Sequence, residues 1–162
     1  MAILVVRHAK AGDRDRWEGP DQVRPLTRSG REQAEGLVAA LAGFEVGRVL
    51  SSPYARCVET VVPLAVACGV AVEPCEDLAE GAGAAAVELI TTLAATPGRD
   101  DGQPATLLCT HGDVVLDILD GLADAGVELP DELALRKGST WVLAVQGGRV
   151  VGARYLDPPT SG

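Results

Sequence analysis

Two kinds of hydrophobic pattern alternate along the chain. Residues 2–6 form a short continuous apolar run, typical of a strand buried on both faces. Residues 46–50 predict a second strand, and 105–109 predict another buried strand. A shorter apolar stretch at 70–73 predicts one more strand. Segments between these runs carry apolar residues every three or four positions. The alternation predicts an α/β layered sandwich.

The helices are predicted from that wider spacing. Leu37 and Leu41 belong to a first amphipathic segment, Val87 and Ile90 to a later one. Val115, Ile118, Leu119 and Leu122 mark another helix after the third strand. Ser29 followed three residues later by Glu32 fits a capping box, which predicts that Ser29 caps the first helix.

A further helix is predicted after the second strand, at Ser51-Ser52-Pro53. There a serine would cap the helix and Pro53 would occupy its first position. Pro63 lies within the same segment, where it removes a backbone donor and clashes with the preceding turn. We therefore expect this helix to kink or end near Val62.

The last part of the chain predicts a hairpin, because Gly147-Gly148 separates strand-like runs at 141–145 and 149–155. Residues 97–104 are predicted to form a loop. With no repeat and no linker composition, the sequence predicts one domain over residues 1–157 and a frayed tail at 158–162.

Composition and charge exclude several classes of protein. The 162 residues are 47% apolar and carry a formal charge of −9, which disfavours nucleic acid as a partner. The apolar runs fall short of the roughly 18 residues that cross a bilayer, and Arg7 interrupts the first run too early for a signal peptide. We therefore expect a cytoplasmic protein without a membrane partner. Its four cysteines form no C-x-x-C pair and are expected to be reduced thiols.

Residues suited to phosphate chemistry gather at one edge of the predicted sheet. The first strand ends at Arg7 and His8, the second leads to Arg56, and the third ends at His111. Loops and helix N-termini converge at the carboxyl ends of parallel strands. Clustered cations repel one another unless an anion lies among them, and guanidinium groups bind phosphate oxygens in pairs. This pattern predicts a phosphoryl-transfer site in which His8 or His111 attacks phosphorus.

Four segments share a resemblance to a known family. They are Leu4-Val5-Val6-Arg7-His8-Ala9, then Arg24-Pro25-Leu26-Thr27 with Gly30, Gln33 and Ala34, then Ser51-Ser52-Pro53-Tyr54-Ala55-Arg56-Cys57-Val58-Glu59-Thr60, and last Cys109-Thr110-His111-Gly112. In this order they resemble the signatures of the histidine phosphatase (phosphoglycerate mutase-like) superfamily. Position 9 is Ala where many members have Gly, and its small side chain still permits close approach of phosphate.

The resemblance implies a three-layer sandwich around a mixed, mainly parallel sheet flanked by helices. It makes His8 the transiently phosphorylated nucleophile, with Arg7, Arg56 and His111 completing the phosphate pocket. Thr110 and Gly112, which flank His111, are expected to contact substrate. The proton donor is predicted to be Glu80, in Leu78-Ala79-Glu80, and Asp113 is the alternative.

The substrate is predicted to be an anion that a basic segment attracts. Residues 7–31 contain seven basic and four acidic side chains, a charge of +3 within a chain of −9. Arg14 and Arg16 are the residues of this segment expected to contact substrate. The chain's short length and its Arg7-His8-Ala9 sequence resemble the SixA-like phosphohistidine phosphatases, which implies phosphohistidine protein or a small phosphorylated molecule as the partner. The basic loop around Trp17 also resembles the phosphatase-like domain attached to some Nudix hydrolases, which implies a nucleotide substrate instead.

Two other kinds of protein remain as alternatives. A non-catalytic phosphate-binding module would use the same cations, and only the proton donor would distinguish it. A metallohydrolase would need a ligand cluster, whereas the two histidines lie far apart in sequence and form no H-x-x-x-H motif. The sequence therefore predicts a phosphatase that uses no metal and no other cofactor.

Overall fold

The computed structural model describes residues 1–96 and 102–160. Its strands are β1 (Ala2–Arg7), β2 (Val46–Ser51), β3 (Val72–Pro74), β4 (Ala105–Thr110), β5 (Thr140–Gln146) and β6 (Arg149–Leu156). Its helices are α1 (Arg28–Ala40), α2 (Ala55–Cys68), α3 (Gly83–Ala95) and α4 (Gly112–Asp124), with short 3-10 helices at Asp21–Val23 and Glu76–Leu78. Most of the predicted loop 97–104 and the end of the predicted tail 158–162 lie outside the described residues.

One sheet contains all six strands in the order β3-β2-β4-β1-β5-β6. β3, β2, β4 and β1 run parallel to one another, whereas β5 pairs antiparallel with both β1 and β6. Because β2, β4 and β1 are adjacent and parallel, the segments that follow them emerge at the same edge. The predicted mixed, mainly parallel sheet is therefore confirmed.

Helices cover both faces of the sheet, which confirms the three-layer sandwich. α1 packs against α2, and α3 packs against α4. Along β1, Ile3 and Val5 belong to the core that includes α3 and α4, while Leu4 and Val6 belong to the core that includes α1 and α2. Such alternation buries both faces of a strand, and each fully buried Val, Leu or Ile side chain contributes about 1.5–3 kcal/mol.

The cap of α1 differs from the prediction. Thr27, in extended conformation, is the N-cap, and its Oγ1 accepts a hydrogen bond from the Gly30 amide at 3.1 Å. Its own amide donates to the Lys10 carbonyl at 2.9 Å, which fixes Thr27 before the helix begins. Ser29 is therefore inside α1, and the predicted capping box at Ser29 is wrong.

α2 also departs from the prediction at both ends. It begins at Ala55 with Tyr54 as the N-cap, so Pro53 is not its first residue. It continues through Pro63 to Cys68 and ends at Gly69, which has a positive φ of 70°. An interior proline costs about 3 kcal/mol, and burial of neighbouring Val61 and Leu64 against the sheet offsets that cost. The expected end near Val62 is wrong, and the alternative of a kink near Val62 stays a prediction.

The predicted hairpin is confirmed, since β5 and β6 pair directly across Gly147 and Gly148. Both glycines have positive φ angles, 60° and 76°, which the right-handed twist of a two-residue hairpin requires. Among the described residues, no helix has the length and apolar character needed to cross a membrane. The proposed domain boundary at residue 157 stays a prediction.

Candidate active site

The ends of β1 and β4 and the segment after β2 bring His8, His111 and Ser52 together. The His8 amide donates to the Thr110 carbonyl at 3.0 Å, and the Ser52 amide donates to the Cys109 carbonyl at 2.9 Å. These backbone bonds continue the parallel pairing one residue beyond the strands. The imidazole rings of His8 and His111 consequently lie with their centroids 5.5 Å apart, as the sheet-edge argument predicts.

His8 is buried, and one of its ring nitrogens has a fixed partner. Nδ1 lies 2.8 Å from the Ala9 carbonyl oxygen, which can only accept, so Nδ1 carries the hydrogen. Nε2 therefore bears the lone pair in the neutral ring. Burial lowers the pKa of His8 to about 3, and the nearby positive charges of Arg56 and Arg7 act in the same direction. The geometry and the low pKa together keep Nε2 unprotonated at neutral pH.

Arg7 is packed against the first turn of α4. Its Nη1 donates to the Leu135 carbonyl, and its Nε is buried without a hydrogen-bond partner among the described residues. A Cβ built on Gly112 would lie 2.8 Å from Arg7 Cζ and 2.9 Å from Nε. Gly112 is therefore the residue that leaves room for this guanidinium. A buried N–H group of this kind is suited to an anionic acceptor.

Arg56 lies in the first turn of α2 and is fully buried. Its Nη1 donates to the Asp21 carbonyl at 3.0 Å, and its Nη2 donates to Asp21 Oδ2 at 3.1 Å. Its Cζ lies 5.0 Å from the centre of the Tyr54 ring. Burial raises the pKa of Asp21, but hydrogen bonds from Arg24 and Arg56 outweigh it, so that the pKa is lowered and the carboxylate stays ionised.

His111 is also held in a defined orientation. Its Nε2 lies 2.8 Å from Ser52 Oγ, and its Nδ1 lies 3.5 Å from Arg56 Nη2. Since a guanidinium can only donate, Nδ1 accepts and Nε2 donates to Ser52. The Tyr54 ring packs edge-on against the imidazole, with centroids 4.7 Å apart. Ser52 and Tyr54 thus fix the plane of the His111 ring.

Both candidate proton donors lie at the mouth of the site. Glu80 Oε1 accepts from Arg14 Nη2 at 2.8 Å, and Glu80 Oε2 lies 3.5 Å from Arg56 Nη2. Asp113, in the first turn of α4, accepts from the Gly81 amide at 2.9 Å. The structure therefore brings Glu80, Asp113 and Arg14 beside the buried cluster of arginines and histidines.

Two adjoining cavities open onto these residues, and Arg7, His8 and Arg14 line both of them. One, of about 330 Å³, is also lined by Glu80, His111, Gly112, Asp113, Leu116 and Leu135. The other, of about 490 Å³, is also lined by Lys10, Ala11, Gly12, Asp13, Arg24, Thr27 and Lys137. Within residues 1–96 and 102–160, no cluster of three or more His, Cys, Asp or Glu side chains is arranged to hold a metal ion.

The structure does not bring two of the expected substrate-binding side chains to these cavities. Arg16 is 89% exposed and pairs with Asp13 at 3.7 Å, and it lines neither cavity. The hydroxyl of Thr110 is buried and donates to the Leu78 carbonyl at 2.6 Å. Thr110 contributes to the site through its carbonyl, which accepts from the His8 amide.

A known protein family matches more than half of the chain. Residues 3–88, which contain His8, Arg56 and Glu80, match the family model described as "Histidine phosphatase superfamily (branch 1)". The chain belongs to the histidine phosphatase superfamily. The family resemblance found in the sequence is thereby confirmed.

One curated relative and two solved structures show how far the similarity extends. An 8-oxo-(d)GTP phosphatase of Mycolicibacterium smegmatis is 37% identical over 161 residues, which is 97% of this chain. The chain spans only 48% of that relative's length. The structure of the protein histidine phosphatase SixA complexed with tungstate matches with a TM-score of 0.72 at 21% identity. The match covers 99% of this chain and 97% of the SixA chain. YhfR of Bacillus stearothermophilus has a TM-score of 0.73 at 18% identity over 92% of this chain and 93% of its own.

Sequence reasoning missed three residues at the site of this histidine phosphatase superfamily member. Asp21, which holds Arg56, begins a short 3-10 helix within a segment of mixed charge, where no sequence spacing distinguishes one carboxylate from another. Ser52 directly follows β2, so its position places it at the same sheet edge as His8 and His111. The sequence analysis instead assigns a serine at this place to a helix cap. Lys137 precedes β5 and lines the larger cavity with Lys10. Lys10 and Lys137 are the only two lysines in the chain, and this rarity is the feature of the sequence that could have drawn attention to Lys137.

Proposed function

We propose that this member of the histidine phosphatase superfamily is a metal-independent phosphatase in which His8 Nε2 attacks the phosphorus atom. The observation that carries the proposal is the hydrogen bond between His8 Nδ1 and the Ala9 carbonyl, 2.8 Å long. It leaves the Nε2 lone pair free and holds the ring in place. The pKa of His8, lowered to about 3 by burial and then by nearby charges, keeps that nitrogen neutral without a separate general base.

The phosphoryl group would lie among Arg7, Arg56 and His111. Charge on its equatorial oxygens would then be neutralised by two guanidinium groups. Among the described residues, the buried Nε of Arg7 and the buried Nε of Arg56 both lack an acceptor. Asp21 holds Arg56 through two hydrogen bonds, whereas the contact between Arg56 and Glu80 is 3.5 Å long. Arg56 would therefore bind a phosphate oxygen by giving up its contact with Glu80 and would keep those with Asp21. Fixed donors of this kind stabilise a transition state without rearranging during the reaction.

The reaction has two steps, and Glu80 is our proposed proton donor. As His8 Nε2 forms its bond to phosphorus, the bond to the leaving group breaks, and the leaving oxygen, or the leaving nitrogen of phosphohistidine, takes a proton from the Glu80 carboxyl group. Water then attacks the phosphorus atom, Glu80 takes one of its protons, the bond between phosphorus and His8 Nε2 breaks, and inorganic phosphate leaves. Asp113, which lines the same cavity, is the alternative donor.

The substrate is proposed to be phosphohistidine or a small phosphomonoester, with Arg14 contacting it. A nucleotide is the second candidate, because the relative that is 37% identical over most of this chain is named an 8-oxo-(d)GTP phosphatase. We further propose a cytoplasmic enzyme whose phosphatase unit is one domain over residues 1–157. Nucleic acid and membranes are not proposed as partners, since the chain carries a charge of −9.

Phosphate release from p-nitrophenyl phosphate, measured with a chelator present, tests the proposal. We expect turnover by the unaltered protein and its loss, by a factor of at least about 10³, in His8→Ala. Activity that disappears with the chelator and returns with a divalent ion would establish a metallohydrolase instead. Binding of phosphate without turnover of p-nitrophenyl phosphate, phosphohistidine, sugar phosphates or nucleotides would establish a binding module.

A further inference from the structure

Both lysines of the chain line one cavity beside His8. Lys10 follows His8 by two residues, whereas Lys137 comes from the distant segment before β5, and the chain contains no other lysine. The cavity has a volume of about 490 Å³ and shares Arg7, His8 and Arg14 with the smaller cavity that contains Glu80. A second group of positive charges therefore adjoins the proposed phosphoryl site.

Gln33 of α1 holds the two lysine positions next to each other. Its Oε1 accepts from the Lys10 amide at 3.0 Å, and its Nε2 donates to the Lys137 carbonyl at 3.3 Å. The amide of Gly138, the residue after Lys137, donates to the His8 carbonyl at 3.1 Å. Both lysines are thus anchored through their backbone to the segment that carries the nucleophile.

The ammonium groups of these lysines lack carboxylate partners. Among the described residues, neither forms an ion pair, whereas Arg24 of the same cavity pairs with Asp21 at 2.9 Å. Partial removal from water lowers the pKa of Lys137, and the nearby charges of Arg7 and Arg24 add to that effect. Of the described residues that line this cavity, Asp13 is the only carboxylate, and its Oδ2 lies 3.7 Å from Arg16 Nε. Cations that line one cavity without counter-charges favour an anion within it.

We infer that Lys10 and Lys137, held by Gln33, form a subsite for a second anionic group of the substrate, and that this group is a phosphate linked directly to the one transferred. The inference rests on the proposed function, because the first phosphate must lie at His8. A compact ammonium group binds phosphate as a point charge and tolerates varied geometry. A substrate with two linked phosphates would place one among Arg7, Arg56 and His111 and the other between the lysines.

Binding to the inactive His8→Ala protein tests the subsite without turnover. Titration calorimetry with a chelator present compares inorganic pyrophosphate with inorganic phosphate. We expect pyrophosphate to bind more tightly, and we expect Lys10→Met and Lys137→Met, each in the His8→Ala background, to lower the ratio of the two affinities about fivefold. Gln33→Ala should lower the same ratio, because it releases both lysine positions.

Arg149→Met is the matched control, since Arg149 is exposed on the β5–β6 hairpin and lines neither cavity beside His8. It removes one positive charge without touching the subsite, so the ratio should stay within about twofold of that of His8→Ala. An equal drop in the control would show that only the overall charge matters and would overturn the subsite. Equal affinity of His8→Ala for the two ligands would overturn it as well.

Turnover separates failure of the subsite from failure of the proposed function. In the unaltered protein, kcat/KM for a nucleoside diphosphate should exceed that for the matching nucleoside monophosphate, and Lys137→Met should reduce this preference. If p-nitrophenyl phosphate is hydrolysed through His8 but the preference is absent, the subsite is wrong and the phosphatase stands. If Lys137→Met instead lowers kcat/KM for 3-phosphoglycerate and leaves that for the nucleoside diphosphate unchanged, the second anion is a carboxylate and the assignment to phosphate is wrong. No turnover of any compound would contradict the proposed function itself.

Discussion

Gly112 lies so close to Arg7 that a Cβ at position 112 would be 2.8 Å from the guanidinium carbon. Gly112→Ala should therefore displace Arg7 from the site while leaving the fold intact. We expect kcat/KM for p-nitrophenyl phosphate to fall about 10–100-fold, in line with the loss of one or two charge-assisted hydrogen bonds. Gly43→Ala is the control, because nothing lies within 4 Å of its added Cβ. Full activity in Gly112→Ala would show that Arg7 does not act where this account places it.

Ser52 orients His111 through the 2.8 Å contact between its Oγ and Nε2. Ser52→Ala should lower kcat about tenfold with a smaller effect on KM, since a misdirected imidazole binds the transition state less well. Ser51→Ala provides a neighbouring control: Ser51 is equally buried, and its hydroxyl donates to the Ser52 carbonyl rather than to His111. Equal losses in both variants would indicate a general effect of the buried hydroxyls on stability.

Glu80 and Asp113 can be distinguished by the leaving group. A proton donor matters for an alkoxide and little for p-nitrophenolate, which leaves without protonation. We expect Glu80→Gln to reduce kcat for an alkyl phosphate by about 10²–10³ and to affect p-nitrophenyl phosphate far less. Asp113→Asn should show no such selectivity. The reverse pattern would assign proton donation to Asp113.

The low pKa of His8 predicts a specific loss of stability in acid. The folded value of about 3 lies below the ordinary 6.5, so between these values the unfolded chain binds the proton and stability falls as the pH decreases. Between pH 7 and pH 5 the protein should lose about 2 kcal/mol more than His8→Asn, which has no group to protonate there. Urea unfolding at the two pH values measures the difference. Parallel losses in both proteins would contradict the low pKa.

The elements that carry the chemistry follow from local pattern. Short runs rich in apolar residues identified β1, β2 and β4, and parallel pairing of these strands determines that His8 and His111 meet. The sequence therefore predicts the sheet and the buried half of the site. Its errors at Ser29 and Pro63 have a common cause, because in both places contacts from outside the element decided the outcome. The Lys10 carbonyl fixed Thr27 as the cap, and burial of α2 offset the cost of its proline.

The outer half of the site was less predictable because long-range contacts assemble it. Asp21 contacts Arg56 from a short 3-10 helix in a segment without a periodic pattern, and Lys137 lines the cavity from a segment before β5. Arg16 and Arg14 look alike in sequence, yet Arg14 contacts Glu80 while Arg16 is exposed and contacts Asp13. The charge pattern indicated a basic region around Arg14 and Arg16. Which of these side chains reaches a cavity beside His8 depends on the course of the backbone through that region.

Trapping the covalent intermediate tests the central claim most directly. The protein would be mixed briefly with a phosphorus-labelled substrate and a chelator, quenched in alkali, which preserves phosphohistidine, and mapped by mass spectrometry. We predict one phosphoryl group on His8 Nε2, absent in His8→Ala and enriched in Glu80→Gln if return of the proton limits hydrolysis. Label on His111, or steady turnover with no label on any histidine, would contradict the account.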